Sequence, residues 1–407
     1  MALTSVQRRD LRLLAAFRGF SVLGDSIALI TLFLRVAHHG HGWQIAALAI
    51  AGALPLVALA PVAGYVVDHL PAKTFLALLC GFEALVCAAI GYWHGDVATI
   101  SLMALLTCGV AFSLPGYSAL VPTLSGEENV AVAQSTIQSV QGVAITAGPA
   151  IGGLLVGAVG QSGPLYLDGA SFALAGLGTL LLRTDRRPQA KVAHVEKTEH
   201  ELSAGLRHLF RDPLLRPVVV TVTVFMLSLG AVNVAEVFFI TRTLHASAFF
   251  YGLVGTSFGV GSIVGALASR RLKQVPLTLV RTALICVAAI SVLLGGVGLM
   301  EHVVYVFPLM AVTGVAVGVV NVAASTLLAV QTPEALRGRV FAATGAMFTS
   351  AEIGSMVLGG LLLTLLAPRT IFQLAGVVST ITVGIVAPLE LRTSHRAHAR
   401  ASRAQGN

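Results

Sequence analysis

The chain has 407 residues, 56% of them hydrophobic and 11% charged, with a mean hydropathy of +0.86. A water-soluble domain carries about 25% charged residues, so this composition excludes one and leaves lipid as the main solvent. The net charge of +8 and the pI of 9.7 would suit nucleic acid, but the placement of the basic residues gives them another purpose.

A membrane helix needs about 20 apolar residues. Stretches of that kind run over 11–36, 43–67, 74–93, 97–121, 133–159, 164–182, 215–240, 249–269, 276–299, 302–330, 340–366 and 370–391, which predicts an all-α membrane protein of twelve transmembrane helices. The first, Leu11 to Val36, is too long for a signal h-region and has no small-residue cleavage pattern behind it, so it reads as a span. The polar stretch from Thr184 to Leu214 then divides the chain. We expect an N-terminal six-helix bundle over 1–183, a cytoplasmic linker over 184–214, a C-terminal six-helix bundle over 215–391 and a basic cytoplasmic tail over 392–407. Within the linker, Glu199 to Phe210 reads either as a short amphipathic helix on the membrane surface, with Leu202, Leu206 and Leu209 on one side, or as a solvated connection.

Lys and Arg collect on one side of this pattern. Arg8, Arg9 and Arg12 precede the first helix, Lys73 follows the second, and the run from Arg183 to Arg216 separates the halves. Arg270, Arg271, Lys273 and Arg281 follow the eighth, Arg337 and Arg339 follow the tenth, and Arg392, Arg396, Arg400 and Arg403 close the chain. The other side holds Arg242 and Arg369. By the positive-inside rule both termini are cytoplasmic, in the inner (plasma) membrane, and the basic pI reflects topology and anionic lipid. Nucleic acid is not needed as a partner.

Cys80, Cys87, Cys108 and Cys286 fall inside spans without metal-ligand spacing and read as packing residues, with no disulfide expected. His38, His39 and His41 read as an exposed polar turn after the first helix rather than a metal site, because no carboxylate or cysteine stands beside them. No cofactor is expected, and no Walker pattern is present to couple ATP.

The halves repeat. Gly152-Gly153 and Gly359-Gly360 are 207 residues apart, as are Glu127 and Glu334, each expected in the loop before its helix. In the fifth helix, Gly148-Pro149-Ala150-Ile151-Gly152-Gly153 combines glycines that admit a neighbouring helix with a proline that removes one backbone hydrogen bond. Between the second and third helices runs Gly64-Tyr65-Val66-Val67-Asp68-His69-Leu70-Pro71-Ala72-Lys73. Between the tenth and eleventh runs Gln331-Thr332-Pro333-Glu334-Ala335-Leu336-Arg337-Gly338-Arg339.

These motifs resemble those of the major facilitator superfamily, and specifically the subgroup of enterobactin exporters and macrolide efflux proteins, over nearly the whole chain. The first is similar to the family's antiporter signature, with Ala144 where an earlier glycine is usual. The second is similar to its gating motif, keeping Gly64, Asp68 and Lys73 but carrying His69 and Pro71-Ala72 where arginines or glycine are usual. The Thr-Pro-Glu and Gly-Arg loop is similar to that of the subgroup. The helix-four arginine of some drug/proton antiporters is absent between Val97 and Val121. The resemblance implies two parallel six-helix pseudo-repeats, the major facilitator fold, with a midplane substrate site at their interface.

Ionisable residues within spans are costly and mark pathways or relays. Asp25 lies mid-helix one on the same face as Arg18 and Ser21. Burial favours the protonated form of a carboxylate and a nearby arginine the ionised form, so the two residues make a candidate proton-coupling or substrate pair, against a static ion pair. Glu352 and Glu236 are further candidates. Glu83 reads as a residue of a peripheral helix interface, and Asp168 as a cap of helix six at the outer surface. Gln134, Gln138 and Gln141 form a polar stripe on helix five and, with Asn233 and Asn321, are candidates to line a cavity.

The sequence therefore predicts a monomeric, non-enzymatic membrane transporter whose partners are a small-molecule substrate, protons and the lipid bilayer. The expected activity is proton-coupled efflux of drugs or secondary metabolites by alternating access. A dedicated exporter of a siderophore or lipid-like metabolite, and an importer on the same fold, are the alternatives; a membrane sensor or enzyme is the reading from another class.

Overall fold

The computed structural model describes residues 5–39, 42–126, 129–182, 198–271 and 275–385, and among these the regular structure is helical. The helices are α1 (Ser5–His39), α2 (Gly42–His69), α3 (Ala72–Tyr92), α4 (Asp96–Ser125), α5 (Val130–Val159) and α6 (Gly163–Leu180), then α7 (Thr198–Arg211). They continue as α8 (Leu215–Phe238, prolonged by a π turn, Phe239–Thr243), α9 (Ala248–Ala268), α10 (Pro276–Val297), α11 (Val303–Gln331), α12 (Glu334–Leu365) and α13, over 368–385. Twelve of them match the predicted spans. Ten are long and apolar enough for a membrane by length and composition alone; α6 and α13, at 18 residues each, complete the two sets of six.

Local chemistry sets the ends. Pro164 and Pro276 occupy the first turns of α6 and α10, where a missing N–H costs nothing. α4 and α5 stop at Gly126 and Gly160, both at φ 73°, a backbone region that a side chain would strain. α12 begins at Glu334, six residues before the predicted boundary, so Glu334 to Arg339 are helical and not a loop. Pro333 in extended backbone and the acidic Glu334 in the first turn start the helix there. His38 likewise belongs to the last turn of α1 rather than to a loop. Glu127, His41, the linker residues 184–197 ahead of α7, residues 386–391 of the expected C-terminal bundle, and the basic tail lie outside the described residues.

By packing, the chain divides into two units, residues 1–194 with 246–256, and 195–245 with 257–407. In the first, α1 packs on α5 and α6, α2 on α4, and α3 on α4 and α6. In the second, α8 packs on α12 and α10 on α11. A Cβ on Gly261 or Gly265 of α9 would collide with the carbonyl of Ala311 or Val315, and one on Gly314 or Gly318 of α11 with that of Phe258 or Ser262. Two facing Gly-x-x-x-Gly segments thus bring these backbones together.

The internal repeat is visible in the packing. Gly169 of α6 seats against Ala84, Cys87 and Ala88 of α3, and Gly376 of α13 seats against Ser291 and Gly295 of α10. Gly169 and Gly376, Ala84 and Ser291, and Ala88 and Gly295 each stand 207 residues apart, the register of the paired glycines. The end of α3 is closed by Arg35, buried at 3% exposure, which donates to the carbonyls of Ile90 (2.6 Å), Trp93 (3.4 Å) and Gln161 (3.3 Å). The end of α10 is closed by Arg369, which donates to Met300 O at 3.0 Å, and by Gln373, which donates to Gly298 O at 3.4 Å. A cation at a helix C-terminus meets the negative end of the helix dipole.

The stretch Glu199 to Phe210 is helical, as one of its two readings has it. Its buried side, with Gly205 and Leu209, packs on α12 beside Arg339 and Ala343.

Candidate transport site

α1 is polar where a membrane helix should be apolar. Arg18, Ser21 and Asp25 share one face; Arg18 and Ser21 are buried and Asp25 is half-buried. Arg18 Nη1 donates to Ser21 Oγ at 3.4 Å, and the guanidinium lies 5.0 Å from the centroid of the Tyr117 ring on α4, a cation over an aromatic face. Among the described residues no hydrogen bond or ion pair joins Arg18 to Asp25, two helical turns and about 10 Å of rise away.

Arg18 also borders a cleft of the first unit, about 450 Å³ counting its open mouth, together with Tyr117 and Ser118 of α4 and Gln134, Ile137 and Gln141 of α5. Two glutamines of the predicted stripe thus face the same space as the arginine. Gln138, between them on the helix, is exposed and is not part of this wall.

Glu83 lies at a helix interface, that of α3 with α4, as the sequence reading had it, whereas Asp168 does not cap α6. Glu83 is 1% exposed, and its Oε1 accepts a hydrogen bond from Ser113 Oγ of α4 at 2.7 Å. Cys80, Glu83 and Cys87 share one face of α3, and that face is turned into the first unit rather than to its periphery. Asp168 is 0% exposed; Cys87 Sγ donates to its Oδ2 at 3.3 Å and Ser171 Oγ lies 3.4 Å from its Oδ1. It lies more than a turn inside α6, past the open N–H groups that a cap would satisfy. Both carboxyl groups are within electrostatic reach of Asp25. All four cysteines are free thiols; Cys80 Sγ lies 3.2 Å from Tyr117 Oη.

The Gly148 to Gly153 segment is built for close approach. A Cβ on Gly148 would strike Ser26 of α1, and one on Gly152 would come within 3.1 Å of Ile27 O. Pro149 has no N–H to offer the carbonyl four residues earlier, that of Ile145, and Ser26 Oγ donates to it at 3.3 Å. One residue on, Ala150 N donates to Thr256 Oγ1 at 3.1 Å and Thr256 Oγ1 donates to Thr146 O at 2.9 Å, so two hydroxyls mend the helix where the proline loosens it. Gly252, one turn before Thr256 on α9, leaves room for the Pro149 carbonyl.

A family model, the Major Facilitator Superfamily, matches residues 14–351 and 218–406. The chain belongs to this superfamily. Among curated relatives, YfiS, an MFS-type transporter of Bacillus subtilis (strain 168), is 24% identical over 393 residues, covering 93% of this chain and 92% of its own. The multidrug efflux pump Tap of Mycolicibacterium fortuitum is 23% identical over 374 residues, with 88% and 90% covered. Macrolide efflux protein A of Streptococcus pyogenes is 21% identical over 387 residues, with 90% and 94% covered. Among solved structures, the nucleoside transporter NupG (D323A mutant) superposes with a TM-score of 0.71 at 16% identity, over 94% of this chain and 99% of that one. The resemblance to macrolide efflux proteins read from the motifs is met by a sequence relative of that name, and the solved structures share the fold.

The other motif residues take these places. Gly64 lies in α2 with open space around it, and Asp68 is the penultimate residue of that helix. Lys73, in the first turn of α3, donates through Nζ to Leu182 O beyond the end of α6 at 2.5 Å. In the second unit, Asn233 and Glu236 are half-buried on α8 just before its π turn. Glu352 is half-buried on α12, and Asn321 is exposed on α11. Tyr117, on the wall of the cleft, is the residue that sequence reasoning missed, and Glu83 and Asp168 are buried more fully than it expected. The seven-residue spacing of Cys80 and Cys87 around Glu83, and of Asp168 and Ala175 on α6, was the available signal of a buried face.

Proposed function

We propose that this protein exports small molecules, drugs or secondary metabolites, across the inner (plasma) membrane in exchange for protons. The observation that carries the reading is the whole-length kinship with two efflux proteins, Tap and macrolide efflux protein A. The cleft beside Arg18, Gln134 and Gln141 supports it, because convergent polar groups in a largely apolar recess suit a small amphiphilic ligand. In this reading the bundles 1–183 and 215–391 alternate in access about a shared site, joined by the linker 184–214. The protein works as a monomer with both termini in the cytoplasm. Arg18, Asp25, Glu236 and Glu352 serve proton coupling or substrate binding, with Asn233 and Asn321 lining the path. Gly64, Asp68 and Lys73 serve the gate, and Gly148, Pro149, Gly152 and Gly153 serve the antiporter motif.

The test is expression in a bacterium stripped of its own efflux pumps, followed by accumulation of fluorescent lipophilic dyes and antibiotics with and without a protonophore. Lower accumulation that the protonophore and Asp25→Asn both abolish is the expected result. Unchanged accumulation of every compound sinks the polyspecific reading. The arginine in the cleft favours one second reading, a dedicated exporter of an anionic metabolite such as a siderophore or lipid-like product, sought by comparing secreted metabolites with and without the gene.

A further inference from the structure

Efflux as proposed leaves three fully buried carboxyl groups of the first unit, Asp10, Glu83 and Asp168, without a task. Glu83 is satisfied on one side only: Ser113 Oγ donates to Oε1 at 2.7 Å, while Oε2 is sealed from solvent with no hydrogen-bond partner. The space it fills is made by Gly109 of α4, where a Cβ would come within 3.1 Å of Glu83 Cγ. The titratable and charged groups around it are Arg18 and Asp25 from α1, Tyr117 from α4, Asp168 from α6, and Cys80 and Cys87 on its own helix. Among these, Arg18 is the cation, and its guanidinium is engaged with Ser21 and the Tyr117 ring.

Charge counting then decides what Oε2 lacks. With Asp25, Glu83 and Asp168 all ionised against one arginine, two negative charges would stand unpaired inside a membrane-spanning bundle, which neither the protein interior nor the bilayer repays. Asp168 receives a donor from Cys87 at Oδ2, and the Ser171 hydroxyl, which donates to the Asp168 carbonyl at 2.8 Å, lies 3.4 Å from Oδ1. Of Asp25, Glu83 and Asp168, the one with a buried oxygen that has no hydrogen-bond partner is Glu83, whose Oε1 alone is met by a donor.

We propose that Glu83 takes up and releases the coupling proton at Oε2, and that Arg18, which borders the cleft and lies over the Tyr117 ring whose hydroxyl meets Cys80 on the Glu83 face of α3, links its charge to substrate binding. The inference rests on the proton-coupled reading above and assigns the proton a seat on α3. Protonation forms one O–H bond on Oε2 and removes one negative charge. Release returns the proton to water through Asp25, the half-buried member of the group. With Glu83 neutral, Arg18 is held less strongly by the acids and is available to the cleft; with Glu83 ionised, it is drawn back.

The test uses the full chain in lipid nanodiscs and in proteoliposomes, with ethidium as the probe. In nanodiscs, infrared difference spectra across a pH titration are expected to show the carbonyl stretch of a protonated carboxylic acid that is lost in Glu83→Gln and shifted in Ser113→Ala. A band unchanged in both variants overturns the proposal, whatever transport shows. In proteoliposomes, Glu83→Gln is expected to lose uphill ethidium accumulation, about tenfold per imposed pH unit for one-for-one exchange, while keeping exchange without a gradient. Glu83→Asp is expected to regain part of the uphill movement. A Glu83→Gln protein that accumulates ethidium as the wild type does overturns the proposal and leaves the efflux reading standing. A wild type inert toward ethidium whose infrared band still vanishes in Glu83→Gln sinks polyspecific efflux and supports the proton seat. Should Glu83→Gln fail to fold, the shift or constancy of the band in Ser113→Ala decides.

Discussion

The hydroxyl of Thr256 stands between two backbone groups of α5, accepting from Ala150 N–H at 3.1 Å and donating to Thr146 O at 2.9 Å. Both groups belong to the turn that Pro149 weakens, so one side chain supplies what the helix cannot supply for itself. Thr256→Val keeps the shape and removes both bonds, and the expected cost is about 1 kcal/mol, within the range for buried polar contacts in membrane bundles. Thermal unfolding of the purified protein in detergent should show a lower midpoint than wild type, with Thr256→Ser close to wild type. Equal midpoints for all three would show that the helix mends itself without Thr256.

The paired glycines of the repeat make a second prediction. Gly169 and Gly376 each let the sixth helix of a half rest on the third, against Ala84 and Ala88 in one case and Ser291 and Gly295 in the other. A leucine at either position must force the helices apart, at a cost of about 1 to 3 kcal/mol or more. Folded yield by size-exclusion chromatography should fall to a similar degree in Gly169→Leu and Gly376→Leu. Loss in only one of them would mean that the two crossings are not equivalent.

Much of this architecture could be read from the sequence, because length and hydropathy determine which stretches can cross a bilayer, and lipid forbids unsatisfied backbone. The start of α12 could not, since Glu334 to Arg339 are polar and resemble a loop until the proline and the first-turn acid are weighed as a helix start. The shared face of Arg18 and Asp25 was legible from spacing on a single helix. Which groups surround Glu83 and Asp168 was not, because that depends on which neighbour each helix meets, and no periodicity within one helix names that neighbour. Small residues carried the missing information: Gly109 opposite Glu83, and Gly24 of α1 opposite Asp168 and Ser171, mark where the elements close around the acids.

Lys73 gives a third prediction. Its ammonium donates to the Leu182 carbonyl at 2.5 Å, where the chain leaves α6, so the lysine both ends a motif and complements a helix C-terminus. Lys73→Met is expected to lower stability by about 0.3 to 1 kcal/mol and Lys73→Arg to restore most of it. Denaturation midpoints in detergent decide this, and a Lys73→Met protein as stable as wild type would show that the bond to Leu182 adds nothing to stability.

Arg18 carries the last prediction, because it meets three surroundings at once: Ser21 and the Tyr117 ring, the cleft with Gln134 and Gln141, and the acids of the first unit. Arg18→Lys keeps the charge but loses the planar group that lies over the ring, worth about 0.5 to 2 kcal/mol when desolvated. Arg18→Gln removes the charge as well and leaves the three carboxyl groups without their cation. If Arg18 links the acids to the cleft, dye efflux from pump-deficient cells should fall in both variants, more steeply in Arg18→Gln. In Arg18→Lys the dependence on external pH should keep its shape, and in Arg18→Gln it should flatten, because substrate and proton no longer sense one another. An Arg18→Gln protein that exports with the wild-type pH profile would show that the arginine only packs against Tyr117, and the coupling path would have to run through the second unit, where Glu236 and Glu352 stand half-buried on α8 and α12.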